Sequence, residues 1–173
     1  VPHARPPQQA IGSRAVVGRV RGVKQVELVA LTVEAESRAP LVLLREQDAP
    51  RRVLPIFVGP VEATAIALAL GDDSPPRPLT HDLMVALVET AQARVERVEV
   101  TELREGTFFA ELAVSGPAGE RRVDSRPSDA IALAVRVDAP LYVSGTVLDE
   151  AGAVWAEAID EASIDEEVGR FRS

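Results

Sequence analysis

The chain has 173 residues, 46% of them apolar and only 3% aromatic, with no cysteine and a formal net charge of −8. That length suits one domain with extensions, and its core must be built from Val, Leu, Ile and Ala. The lack of cysteine excludes disulfides and thiolate metal sites, no run reaches the roughly 18 apolar residues of a membrane span, and there is no basic stripe of the kind that holds nucleic acid by phosphate neutralisation.

Charge is unevenly placed along the chain. Residues 1–22 hold four Arg and no acid, whereas Thr146 to Gly169 hold eight acids and no Lys or Arg. The first segment is read as an N-terminal arm or remnant, residues 23–148 as the domain, and residues 149–173 as an acidic C-terminal segment. The charge pattern places a loosely attached appendage from 146 onward, with helical patterning over 153–158 and 164–171. With no apolar signal-peptide segment at its start, the chain is expected to be cytoplasmic and without a membrane partner.

Apolar alternation with β-branched residues predicts a strand at Val26–Glu34. Pro40 opens a second at Leu41–Glu46, and Asp48-Ala49-Pro50 turns the chain into a third at Arg52–Val58, an antiparallel meander. Pro60 then starts a helix that ends at Leu70 before Gly71. It is apolar almost all round, which predicts burial on most sides. Prolines at 75, 76 and 78 force a loop. Thr80 is placed as the N-cap of a helix running to about Ala93, with Leu83, Leu87 and Val88 facing inward. Strands follow at Val95–Leu103 and Thr107–Val114, and Pro117-Ala118-Gly119 turns into Arg121–Ser125. A helix from Ser128 to about Val137 and a strand at Leu141–Ser144 complete the domain. Ala65–Leu70 is echoed by Ala130–Val135, and Phe57, Phe108 and Tyr142 are read as core strand residues. The expected architecture is α+β: a mixed, largely antiparallel sheet with three main helices packed on it, plus the acidic C-terminal appendage.

Two stretches share a layout that carries chemistry. Arg77-Pro78-Leu79-Thr80-His81-Asp82 and Arg126-Pro127-Ser128-Asp129 each lead from Arg-Pro to a hydroxyl residue, an acid and a helix. His81, in a first helical turn, suits a general base on water or a metal ligand. The candidate catalytic residues are His81, Asp82 and Asp129. Arg77 and Arg126 are the candidates to hold a phosphate by bidentate hydrogen bonds, with the hydroxyls of Thr80 and Ser128 beside them. Glu62 and Asp124 are the candidates to hold a divalent metal ion that activates water. The same residues admit an architectural reading. Thr80 and Ser128 then cap helices, Glu62, Asp82 and Asp129 complement helix dipoles, and Arg126 pairs with a carboxylate to fix the turn before Pro127. No nucleophilic triad and no phosphate-cradling glycine loop is present.

Leu-Pro-Ile-Phe-Val-Gly-Pro at 54–60 with Glu62-Ala63, Arg-Pro-Leu-Thr-His-Asp-Leu at 77–83, Gly-Thr-Phe-Phe-Ala at 106–110 and Asp-Ser-Arg-Pro-Ser-Asp-Ala-Ile-Ala-Leu-Ala at 124–134 occur in that order. In these motifs the chain resembles the bifunctional nuclease domain family over roughly Val23 to Leu148. Phe109 stands where the family often has Tyr, and Ser125 where it often has Ala, so a mechanism that uses that tyrosine would fail here. The resemblance implies an α+β fold that assembles into homodimers or larger homo-oligomers. It also implies cleavage of phosphodiester bonds in RNA or DNA, an activity attributed to plant members. It supplies no agreed catalytic set, so the assignments above come from the residues. The rival reading is a non-catalytic homo-oligomeric regulatory or interaction module.

Overall fold

The computed structural model describes residues 22–71 and 75–154. In chain order these form β1 (Val23–Val33), β2 (Pro40–Glu46), β3 (Arg52–Phe57), α1 (Pro60–Leu70), α2 (Thr80–Thr90), β4 (Arg94–Arg104), β5 (Thr107–Gly116), β6 (Gly119–Ser125), α3 (Pro127–Val137), β7 (Leu141–Ser144), α4 (Gly145–Ala151) and β8 (Ala153–Val154). The strands make one sheet in the order β6-β5-β4-β7-β1-β2-β3-β8. Among the described residues every neighbouring pair is antiparallel except β4 and β7. The mixed, largely antiparallel α+β architecture expected from the sequence is therefore present.

Period-two alternation decides which side chains reach the helical layer. Val42, Leu44, Leu54, Ile56, Val98, Val100, Ala110 and Leu112 join one core with α3, while Ala30, Leu41, Leu43 and Val53 form a second, smaller cluster. On β4, β5 and β6, Arg122 bridges Glu99 and Glu111 and Arg97 pairs with Glu120, cross-strand charge pairs in which the Arg97 and Glu99 side chains are largely covered. Phe57, expected in the core, is 61% exposed near the β3 edge of the sheet, whereas Tyr142 is buried.

α3 is the hub of the helical layer. It lies against β4 and β5, with α1 and α2 packed on it, and Ala130, Ile131, Ala132, Leu133 and Ala134 are all buried. α1 repeats the same apolar pattern without the same burial: Ile66 is buried, but Val61 and Leu70 are exposed. The difference is positional. α3 is enclosed by the sheet and by two helices, while α1 packs mainly on α3.

α2 departs further from expectation. It begins at Thr80, so Leu79 is the N-cap, and the Asp82 carboxylate accepts the Leu79 N–H at 2.8 Å. Thr80 is exposed and caps nothing. The inward face carries His81, Val85 and Val88, and Leu83, Met84 and Leu87 point to solvent. The helix is turned because two of its first-turn side chains are bound to opposite ends of α3, as described below. It also ends at Thr90, before Ala93.

Thr146 to Val154, which the charge pattern assigns to the appendage, are part of the fold. Val147 and Leu148 on α4 are buried in the core, and β8 pairs with β3. Glu46, 1% exposed, receives Arg52 through Nε at 2.9 Å and Nη2 at 3.0 Å, and the same guanidinium reaches Asp149 on α4. The helices expected at 153–158 and 164–171 lie outside the described residues, apart from Ala153 and Val154, which are strand.

Candidate active site

The first turns of the three main helices converge. In α3, Arg126 is the N-cap and Pro127 the first helical residue, which places Ser128 second and Asp129 third. Ser128, expected as a cap, is buried among its neighbours. Asp129 Oδ2 accepts Arg126 Nε at 2.8 Å, and its Oδ1 accepts Arg126 Nη2 at 3.1 Å. The same Oδ1 lies 3.2 Å from His81 Nε2 of α2. Arg126 Nη1 continues to Glu62 Oε1 of α1 at 2.9 Å. The result is a bonded line, His81–Asp129–Arg126–Glu62, with His81 8% exposed at one end and the 65% exposed side chain of Arg126 facing solvent. Gly59 helps to shape it: a Cβ there would overlap the Glu62 carboxylate.

Opposing effects act on the Asp129 carboxyl. Burial pushes the Asp129 carboxyl up, but hydrogen bonds from Arg126 and His81 outweigh it and hold the group below the usual carboxylate range. An ionised carboxylate can only accept, so the contact is a hydrogen bond donated by His81 Nε2–H, and in a neutral imidazole that donates there Nδ1 carries the free lone pair. This is the arrangement of a histidine oriented by an acid for proton abstraction. Arg126 uses three of its five N–H groups on Asp129 and Glu62, which leaves two donors toward solvent.

The remaining sequence candidates lie elsewhere. Asp82 turns to the other end of α3, where its Oδ1 accepts Arg136 Nε at 2.7 Å. The hydrogen bond from Arg136, then that from the Leu79 N–H, holds Asp82 below the usual carboxylate range. Arg136 also donates through Nη1 to Ala65 O at 3.1 Å and Ala132 O at 2.9 Å, so it binds α1, α2 and α3 together. Sequence reasoning missed it, although it is the one basic residue in an otherwise apolar helical run. Arg77 lines a cavity beside Asp82 and Arg136. Asp124 lies on β6 opposite Glu111 and takes no part in the line of bonds. Among the described residues no group of three or more His, Asp or Glu is placed to hold a metal ion, and the Glu62 and Asp129 carboxylates are both neutralised by Arg126. No helix of the described residues is long and apolar enough to cross a membrane.

Fold and geometry thus define an α+β domain with a histidine–carboxylate–guanidinium site at the converging helix starts. The profile of the bifunctional nuclease domain matches residues 42–155, so the chain belongs to that family. An uncharacterized protein of Mycobacterium tuberculosis (strain ATCC 25618 / H37Rv) is 39% identical over 152 residues, 86% of this chain and 90% of the relative. Bifunctional nuclease 1 of Arabidopsis thaliana is 32% identical over 108 residues, 61% of this chain and 33% of that protein. A bifunctional nuclease of Oryza minuta is 26% identical over 106 residues, 60% of this chain and 32% of the relative.

Proposed function

We propose that this domain is a cytoplasmic nuclease that hydrolyses phosphodiester bonds in RNA or DNA. The observation that carries the reading is the His81–Asp129 contact beside the free donors of Arg126. His81 Nδ1 takes a proton from water as the water attacks phosphorus, the P–O bond to the leaving strand breaks, its oxygen takes a proton from solvent, and Asp129 holds the imidazole and the charge that it gains. General-base assistance of this kind contributes roughly 10²- to 10⁴-fold. Arg126 offers two N–H groups to the phosphate oxygens, and Glu62 keeps its guanidinium in place. The plant relatives' names support the same chemistry. An acidic chain repels a polyanion, so weak, salt-sensitive substrate binding is expected.

A divalent metal ion remains part of the proposal only as an alternative source of activated water, since Arg126 would first have to release Glu62 and Asp129. The test is cleavage of RNA and of single-stranded DNA by the purified chain, with and without EDTA, beside His81→Gln purified identically. Loss of cleavage in the variant supports the reading; equal cleavage by both proteins sinks it and points to a contaminant. Loss on adding EDTA would assign the water to a metal.

A second reading has its own observation. Leu79, Leu83, Met84 and Leu87 leave an apolar stripe exposed along α2, which suits a homo-oligomeric module in which the charged line merely braces three helices.

A further inference from the structure

Adjacent residues of α2 are tied to opposite ends of α3. His81 meets Asp129 in the first turn of α3, and Asp82 Oδ1 accepts Nε of Arg136 in its last turn at 2.7 Å. The other Asp82 oxygen, Oδ2, accepts the Leu79 N–H at 2.8 Å. One carboxylate therefore fixes both where α2 starts and how it lies on α3. Arg136 is itself held. Its side chain is only 9% exposed, and Nη1 donates to Ala132 O on its own helix and to Ala65 O on α1. Asp82 is thus bonded to a donor whose place is set by two other helices.

The apolar pattern of α2 selects a different setting. An amphipathic helix turns its apolar stripe to the core. Here Leu83, Met84 and Leu87 are exposed, while the His81 imidazole faces inward with Val85 and Val88. At roughly 100° per residue, the two faces lie about 120° apart around the helix axis. Hydrophobic burial alone would bring the leucines in and carry His81 away from Asp129. The His81–Asp129 contact, at 3.2 Å, is at the long end of the usual range and restrains the helix weakly. The Arg136–Asp82 bond is shorter and joins two ionised groups, so it is the stronger restraint.

We propose that Asp82 and Arg136 are positioning residues for His81: their ion pair holds α2 in the rotational setting that delivers the imidazole to Asp129. That this serves water activation rests on the nuclease reading; control of the imidazole by the ion pair does not.

The test uses the full chain with Asp82→Asn, which keeps the size of the side chain, and with Arg136→Gln, which breaks the pair from the other side. The ring nitrogens of His81 are followed by NMR in isotope-labelled protein and told from those of His3 by the His81→Gln spectrum. At mildly alkaline pH the wild type should show one tautomer, protonated at Nε2, and both variants the averaged signals of an unrestrained imidazole. With a paramagnetic probe in solution, the methyl signals of Leu83 and Leu87 should be attenuated in the wild type and protected in the variants. A mere brace would lower the urea midpoint and leave the ring signals of the folded protein unchanged, and that result overturns the proposal. So does protection of both leucines in the wild type, since a contact between copies would then set the rotation. In oligonucleotide cleavage, moving a reacting group by about 1 Å costs roughly 10²-fold, so kcat and kcat/KM should fall together by that order in Asp82→Asn. Arg136→Lys, which keeps a cation for Asp82, should recover part of what Arg136→Gln loses. His81-dependent cleavage that is undiminished in Asp82→Asn overturns the positioning role and keeps the nuclease reading. Absence of cleavage by every protein, with ring signals that still change, removes the nuclease reading and keeps the positioning role.

Discussion

His81 and Asp129 are 48 residues apart in the chain and 3.2 Å apart at Nε2 and Oδ1. The contact joins two helix first turns that the sequence shows only as two similar motifs. Asp129→Asn keeps the shape but presents an amide in place of an acceptor-only carboxylate, so the imidazole loses its fixed tautomer. Turnover at saturating substrate is expected to fall roughly 10²- to 10⁴-fold, with an unchanged circular dichroism spectrum. Full turnover in this variant would reduce the pair to a structural contact.

Stability should decline in acid for reasons that can be assigned. Glu46, Asp82 and Glu96 are held below the ordinary carboxylate range chiefly by hydrogen bonds from Arg52, Arg136 and Ser115 respectively. A depressed folded-state pKa stabilises above the unfolded value of about 4, and the contribution is lost as pH falls through the folded value. Urea midpoints should therefore hold from pH 7 to 5 and drop below pH 4. Arg136→Gln should flatten the part due to Asp82. A midpoint that rises on acidification would contradict the assignment.

The Glu46–Arg52 pair is the most deeply buried ion pair described. Arg52→Met leaves a carboxylate in the core without its partner, and a loss of about 3–5 kcal/mol is expected. Converting both residues to apolar side chains should recover much of that loss, since an unpaired charge costs more than a missing pair. Asp149, 72% exposed on its side chain, contributes less: Asp149→Ala should cost no more than about 1 kcal/mol. Denaturant melts of the four proteins decide the ranking.

If the α2 stripe is a contact between copies, Leu83→Lys with Leu87→Lys should convert an oligomer to a monomer with little change in melting temperature. Size-exclusion chromatography with light scattering gives the mass directly. A wild-type chain that is monomeric at high concentration removes the stripe as an assembly surface.

The strands and the three main helices were legible because alternation, prolines and apolar runs act locally. Rotation of α2 was not, because a tertiary pull decides it: His81 and Asp82 reach opposite ends of α3, and Leu83 and Leu87 are turned outward. Thr80 and Ser128 had the chemistry of caps, but Leu79 and Arg126 occupy those positions. In the site, helix starts converged as their motifs suggested and joined His81, Asp129, Arg126 and Glu62. Asp82, Asp124 and Arg77 went elsewhere, since spacing along a chain does not say which end of a neighbouring helix a side chain meets. Arg136 was overlooked because its role depends on three elements at once.

β7 lies between β4 and β1, parallel to one and antiparallel to the other. Each three-strand meander is contiguous in sequence and can pair as it leaves the ribosome, but neither touches the other within the sheet until residues 141–144 arrive. β7 is therefore the keystone: two half-sheets with raw inner edges wait for four residues, and a chain stopped before Leu141 would present two open pairing surfaces to its neighbours.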